Sequence, residues 1–308
     1  MPLVRVDFSE TGGLAGLQMA AREAARGTGP VIVMIHGYRF SPGDPRHCPH
    51  RHILALDPAR GGRKALSWPR ALGFGAGGAD EGLGIAFGWP ARGSIWAAYG
   101  RAALAGRGLA VLVRALRDAA PHRPVHLIGH SLGARVGLQA LPHLPEAALS
   151  RAILLAGAEY ASRAETALAT PAGRAVEIVN VTSRENDLFD MLLERLIAPA
   201  RPGDRSLGQG LTPRRNALTL QLDDPRTLAA LAARGYRVAP PGRRICHWSG
   251  YLRPGVFDLH ADLLRRPEAL TLAVLRAALP AAPEPRWSRL LARPSGRDRL
   301  LSPARASS

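Results

Sequence analysis

The sequence predicts an α/β domain: a mostly parallel central sheet with helices on both faces. Three observations carry that expectation. After the first 30 residues, short apolar runs alternate with helix-like stretches, the order that β-α-β units produce. Several of these runs, such as VIVMI at 31–35 and AILLAGA at 152–158, are apolar throughout rather than alternating, as strands covered on both faces are. The chain of 308 residues, 46% hydrophobic and without internal repeats, is long enough to bury a large core.

The elements follow in order. PVIVMIHG (30–37) reads as a strand ending in a glycine turn, and a Gly/Pro/His-rich connection runs from 38 to 80. GLGIAFGWP (82–90) reads as a second strand. The stretch 94–120 is a long helix in which Gly100, Gly106 and Gly108 mark an expected bend. PVHLIG (124–129) is a strand and LGARVGLQAL (132–141) a helix. RAILLAGA (151–158) and AVEIVNVT (175–182) are two more strands, with a short helical piece around Thr166 between them. Helices are expected at 186–198 and 225–235, and again after the segment CHWSGYLRPGVFDLH up to about Leu279. From Pro283 onward Pro, Arg and Ser dominate. The organisation expected is one domain over 1–280 and a loosely attached Pro/Arg-rich tail over 281–308.

Composition narrows the function classes. The formal net charge is +17, yet all but one of the 41 basic residues are arginine, Lys64 being the exception. With abundant Ala, Gly and Pro, that skew matches a GC-rich coding sequence. The arginines are scattered, aromatics make up 5%, and no nucleic-acid-binding motif occurs, so no nucleic-acid partner is expected. The N-terminal MPLVRVDFSETGG has no apolar h-region and meets an acid at Asp7, and no apolar run approaches the ~20 residues of a membrane span. The two cysteines, Cys48 and Cys246, make no disulfide framework. The expectation is a cytoplasmic protein without an integral membrane segment.

Gly129-His130-Ser131-Leu132-Gly133 follows the predicted strand and opens the predicted helix, the context of a G-x-S-x-G nucleophile elbow. A sharp strand-to-helix turn strains the serine backbone and needs small residues two before and two after it, here Gly129 and Gly133. Free N–H groups at the helix start favour developing negative charge. Upstream, His36-Gly37 directly follows an apolar strand.

With HGY at His36–Tyr38, WPARG at Trp89–Gly93 and GHSLG at Gly129–Gly133, the chain resembles the α/β-hydrolases of the lipase/esterase type. It is similar in particular to a group of uncharacterised bacterial hydrolases carrying these three motifs. The resemblance covers roughly 29–262. It implies the α/β-hydrolase fold and serine chemistry without a cofactor, and it is silent on substrate. It also implies an oxyanion hole formed by the backbone N–H groups of Tyr38 and Leu132. The chain order is then Ser, acid, His. Only His247 and His260 lie beyond His143. His247, on a turn-rich segment with Trp248 and Tyr251 nearby, is favoured as base over His260, whose surroundings read as helix. Past the strand 175–182, Glu185, Asp187 and Asp190 compete for the acid. Asp187, at the head of an apolar-periodic helix, occupies the position the resemblance implies. Glu159 is the rival after the preceding strand, and a plain helix-capping role is open to Asp187 or Asn186.

The cluster His47, Cys48, His50 and His52 carries metal-binding residue types, but its spacing is too tight for a structural zinc site, and no metal is expected. Trp68, Phe74, Trp89 and Trp96 are read as core, with some available to line an apolar acyl pocket. The functional expectation is a carboxylesterase-type serine hydrolase acting on a small ester or acyl substrate through an acyl-enzyme on Ser131. A thioesterase, amidase or lipase on the same triad, or an inactive binding scaffold, are the alternatives.

Overall fold

The computed structural model describes residues 3–11, 13–59, 66–78 and 80–291. In chain order the elements are β1 (Leu3–Phe8), β2 (Leu14–Ala15), α1 (Leu17–Arg26), β3 (Val31–Ile35), α2 (Trp68–Ala71), β4 (Leu83–Gly88) and α3 (Ile95–Ala119). Next come β5 (Val125–His130), α4 (Leu132–Ala140), β6 (Arg151–Leu155), α5 (Ala161–Leu168), α6 (Pro171–Ala175), β7 (Glu177–Thr182) and α7 (Asp187–Leu196). The chain continues through β8 (Ala217–Gln221), α8 (Pro225–Ala232), α9 (Ser249–Leu252), α10 (Val256–Arg265), α11 (Leu272–Ala278) and α12 (Ser288–Leu291). The eight strands form one sheet in the order β2-β1-β4-β3-β5-β6-β7-β8, parallel except for the β1–β2 pair. This is the α/β-hydrolase architecture expected from the sequence.

Strand β3 shows how the sheet divides two cores. Val31, Val33 and Ile35 point into the layer of α1, α3, α4 and α5, whereas Ile32 and Met34 point into the layer holding Trp68, Tyr251, Leu259 and Leu275. All five are completely buried, so the uninterrupted apolar run is the strand's need to fill both layers. Helix α3 is continuous over 25 residues. Gly106 and Gly108 serve close packing: a Cβ on Gly106 would come 2.6 Å from Gln139 Cβ of α4, and one on Gly108 would meet the Phe8 ring of β1.

The elements not expected from the sequence include β1 with its antiparallel partner β2, helix α1, and the last strand β8. In β1, LVRVDF alternates and buries Val4, Val6 and Phe8 while exposing Arg5. The 38–80 connection is packed against the sheet rather than lying apart from it, with Ile53, Leu54, Trp68 and Phe74 all at most 1% exposed; residues 60–65 and 79 lie outside the described residues. The start of the tail is pinned: Arg286 pairs with Glu194 at 2.7 Å, and Trp287 N–H donates to Asp187 Oδ2 at 2.6 Å. Residues 292–308 of the tail lie outside the described residues.

Both sheet margins are covered in part. Two residues of β2 cap β1, with Asp7 opposite Ala15 and Phe8 opposite Leu14. Beyond β8, Arg214 folds back on Ala217, and Arg276 of α11 donates to the carbonyls of Arg214, Arg215 and Ala217.

Candidate active site

Strand β5 delivers Ser131 at its C-terminal end with φ 56° and ψ −120°, a backbone conformation that a serine adopts only under constraint. The constraint is a set of hydrogen bonds on both sides. Ser131 N–H donates to Leu155 O at 2.9 Å, and Ala158 N–H donates to Ser131 O at 3.0 Å. The two elbow glycines are required by contact: a Cβ on Gly129 would lie 2.6 Å from Gly133 O, and one on Gly133 would overlap the carbonyls of Ile35 and His36. Helix α4 thus begins pressed against the end of β3, next to the HGY loop.

That loop is clamped by His36. Its Nδ1–H donates to Gly37 O at 2.9 Å, and its Nε2 accepts from Trp89 N–H at 3.1 Å. Trp89 closes the ring by donating its indole N–H to His36 O at 3.0 Å and stacking on the imidazole, centroids 5.6 Å apart. Burial pushes the His36 pKa down to about 3, so the ring is neutral and can both donate and accept. Arg39 N–H to Ala91 O and Ala91 N–H to Phe40 O, at 2.8 and 2.9 Å, continue the pairing, and Tyr38 Oη donates to Gly93 O at 2.5 Å. The WPARG motif is therefore the partner of the HGY motif. A Cβ on Gly37 would fall 2.9 Å from Ser131 Cβ, which places this loop against the serine. Neither Tyr38 N–H nor Leu132 N–H has a hydrogen-bond partner among the described residues.

His247 comes to the same place from the segment between α8 and α9. Its ring lies 4.6 Å from the ring of His130, the residue before the serine, and stacks at 4.6 Å on Phe189. His130 Nε2–H donates to His247 O at 2.9 Å; burial lowers its pKa to about 4, keeping it neutral. Two further bonds hold the segment: Cys246 N–H to Glu185 O at 2.8 Å, and His260 Nε2–H to Gly250 O at 2.8 Å. His260 is completely buried, with its pKa pushed down by burial to about 4, and it braces the start of α9 just after His247.

The side chain on His247 Nδ1 is Asn186, whose Oδ1 lies 2.6 Å away. Asp187, the residue expected on this nitrogen, is not the side chain that meets it. Asp187 is fully buried one residue later, where its carboxylate accepts from Trp287 N–H and faces the Arg184 guanidinium at 3.2 Å. Adjacent residues entering a helix differ by about 100° in direction, so Asn186 and Asp187 cannot both face the imidazole. The other carboxylates are also engaged elsewhere. Glu185 pairs with Arg253. Glu159 is buried against Arg135, Tyr99 Oη and Tyr160 N–H, with the Arg135 guanidinium 3.6 Å over the Tyr99 ring. Asp190 lies one turn beyond Asn186 and is almost wholly buried. Burial pushes its pKa up to about 7, opposed chiefly by the Arg184 guanidinium and assisted by Asp187.

The histidine-rich cluster is dispersed. His47 bonds Asp44, His50 Nε2 lies 2.6 Å from Asp7 Oδ1, and His52 packs against Phe40. Among the described residues no group of three or more His, Cys, Asp or Glu side chains is arranged to hold a metal ion. Among the same residues no helix is long and apolar enough to cross a membrane.

Chemically, an imidazole that donates Nδ1–H to an amide oxygen has its lone pair on Nε2, as a general base requires. Residues 18–156 match a family described as alpha/beta hydrolase of unknown function (DUF900). The match takes in the HGY loop, the WPARG motif and the elbow, and ends before Asn186 and His247. No curated protein matches the chain.

Proposed function

We propose that this chain, an α/β-hydrolase, is a serine hydrolase of the carboxylesterase type, with Ser131 as nucleophile, His247 as base and Asn186 as the group that orients the base. The observation that carries the reading is the constrained serine at the elbow together with a histidine whose Nδ1 meets a side-chain oxygen and whose ring lies 4.6 Å from that of the adjoining His130. Ser131 Oγ attacks the carbonyl carbon as His247 Nε2 takes its proton. The oxyanion is received by the N–H groups of Tyr38 and Leu132. His247 returns the proton to the leaving alcohol, and water then releases the acyl group by the same steps in reverse. Phe189 and Trp248 beside His247 give the site an apolar wall suited to an acyl chain, and esters ask least of the leaving group.

An amide stabilises the imidazolium less than a carboxylate does, and that favours one second reading: a scaffold that binds or slowly captures an acyl group without efficient turnover. Intact-mass measurement after fluorophosphonate treatment tests both, with Ser131→Ala alongside and nitrophenyl esters from acetate to palmitate as substrates. One adduct on the native chain, none on the variant, and ester turnover support the hydrolase. Labelling without turnover, or a native chain that takes no adduct, refutes the hydrolase and favours the scaffold. The ester series also separates a lipase from a short-chain esterase, and thioester and amide analogues separate the remaining classes.

A further inference from the structure

We propose that the outward face of α7, with Trp96 and Ile245 beside it, docks this chain on an anionic lipid surface and turns the candidate site toward esters held in that surface. The second half of the inference rests on the reading of Ser131 and His247 above, whereas the docking stands on the surface itself.

Helix α7 is inverted for a helix that covers a core. Its inward side carries two carboxylates, Asp187 and Asp190, beside Leu193. At about 100° per residue, Leu188, Phe189, Leu192, Arg195 and Leu196 share an arc of about 120° on the other side, and each is exposed or half-buried. Four of these five are apolar, where a helix facing only water carries polar residues. Leu192 and Leu196 are each 41% exposed. Trp96, 59% exposed at the head of α3, extends the face by donating its indole N–H to Leu196 O at 2.6 Å. Ile245 adjoins it through the next residue, Cys246, whose N–H donates to Glu185 O just before α7. Nine large apolar side chains are exposed among the described residues, and Trp96, Leu192, Leu196 and Ile245 are four of them. Scattered exposed leucines need no explanation, but a cluster marks a contact surface.

That surface frames the candidate site. Phe189 stacks on His247 at one side. At the other, Trp96 follows Gly93, whose carbonyl accepts from Tyr38 Oη of the HGY loop. Contact made through α7 and Trp96 is therefore made on the rim of the site, between the base and the HGY loop.

Charge selects the occupant. The formal net charge of +17 opposes a second copy of this chain and favours an anionic partner. Arg39 of the HGY loop and Arg195 within the apolar arc are exposed and in no ion pair among the described residues. The acids of the same region are engaged: Glu194 with Arg286, Asp187 with Arg184, and Asp44 with Arg92. Leucines flanked by an indole and by guanidinium groups fit the boundary between acyl chains and headgroups, where indoles concentrate and arginines reach phosphate.

Flotation with vesicles of phosphatidylcholine, alone or in equal parts with phosphatidylglycerol, measures docking without reference to activity. The native chain is expected to partition onto the anionic vesicles about tenfold or more above phosphatidylcholine alone. Leu192→Gln/Leu196→Gln, which leaves the net charge unchanged, should cut that partition by about tenfold or more. Val111→Gln/Val274→Gln removes two similarly exposed apolar side chains elsewhere and should change it by less than about threefold. An equal effect of the two pairs, including none, leaves only general attraction to charge and overturns the proposal. So does a native chain that floats with neither vesicle, or one that sedimentation velocity shows to be a dimer which Leu192→Gln/Leu196→Gln returns to monomer. A second measurement needs neither pair: vesicles with brominated acyl chains should quench the native tryptophan fluorescence and quench Trp96→Phe much less, and equal quenching overturns the proposal. Nitrophenyl palmitate held in the anionic vesicles should be cleaved about tenfold more slowly by Leu192→Gln/Leu196→Gln, and an unchanged rate overturns the second half. Docking without fluorophosphonate labelling of Ser131 keeps the surface and overturns the serine-hydrolase reading, whereas labelling without docking keeps that reading and overturns the surface.

Discussion

Acidification is the perturbation to which this fold should respond most steeply. His36, His126, His130 and His260 are buried neutral, with pKa values pushed by burial from the ordinary 6.5 down to about 3 for His36 and about 4 for the other three. Their folded values lie below their unfolded ones, so the stability they contribute is complete above about pH 6.5 and is lost as the pH falls toward 4. Between pH 7 and pH 5 each histidine then withdraws roughly 2 kcal/mol, about 7 kcal/mol for the four. Asp190 works in the other direction. Its folded value of about 7 exceeds its unfolded value, so it destabilises above pH 7 and returns about 2 kcal/mol as the pH drops to 5. Asp187, also raised by burial, acts in the same sense as Asp190. A net loss of about 5 kcal/mol is a large part of the roughly 5–15 kcal/mol that holds a domain together. Urea unfolding followed by tryptophan fluorescence at pH 7, 6 and 5 measures it directly. Agreement between pH 7 and pH 5 to within about 1 kcal/mol would refute the reasoning. His126→Leu isolates one contributor, because neither ring nitrogen of His126 has a partner among the described residues. This variant should lose less stability than the native chain between pH 7 and pH 5.

Other expectations are sharper on function. Asp187→Asn should leave the fluorophosphonate labelling rate within about threefold of native, because its carboxylate serves Trp287 N–H and Arg184 rather than His247. A loss of labelling comparable to that of a base variant would return Asp187 to the site. Glu159→Gln leaves the Arg135 guanidinium buried without its charge partner and should cost about 3–5 kcal/mol in chemical unfolding, with reactivity per folded molecule unchanged. Gly37→Ala sets a methyl group 2.9 Å from both Ser131 Cβ and His130 O. It should depress kcat more than it depresses stability, for which about 1–3 kcal/mol is the expected cost; unchanged kcat would separate the HGY loop from catalysis.

The elbow was legible because its glycines answer to backbone contacts that no side chain could survive, so the sequence pattern and the geometry are the same fact. His247 was singled out by elimination, since chain order left only His260 beside it, and His260 is engaged by Gly250 O. The side chain on His247 Nδ1 was not foreseen in that position. Residue type alone ranks carboxylates above an amide, and only the turn entering α7 decides that residue 186 faces the ring while residue 187 faces the tail. Strand β8 and the N-terminal β1, β2 and α1 escaped for a related reason. They are short elements whose alternation or helical period is brief, and their place is fixed by pairing with strands distant in sequence, as β1 is by β4.

The partly covered margins of the sheet bear on how this protein keeps company with itself. An unpaired strand edge offers backbone donors and acceptors to any other extended chain and so invites polymerisation. Here one margin ends in a two-residue antiparallel stub, and the other is occupied by a folded-back residue and an arginine that takes up three carbonyls. Lengthening the sheet by strand addition is thereby discouraged at both ends. A second molecule that met this one would have to do so largely through faces other than the ends of the sheet.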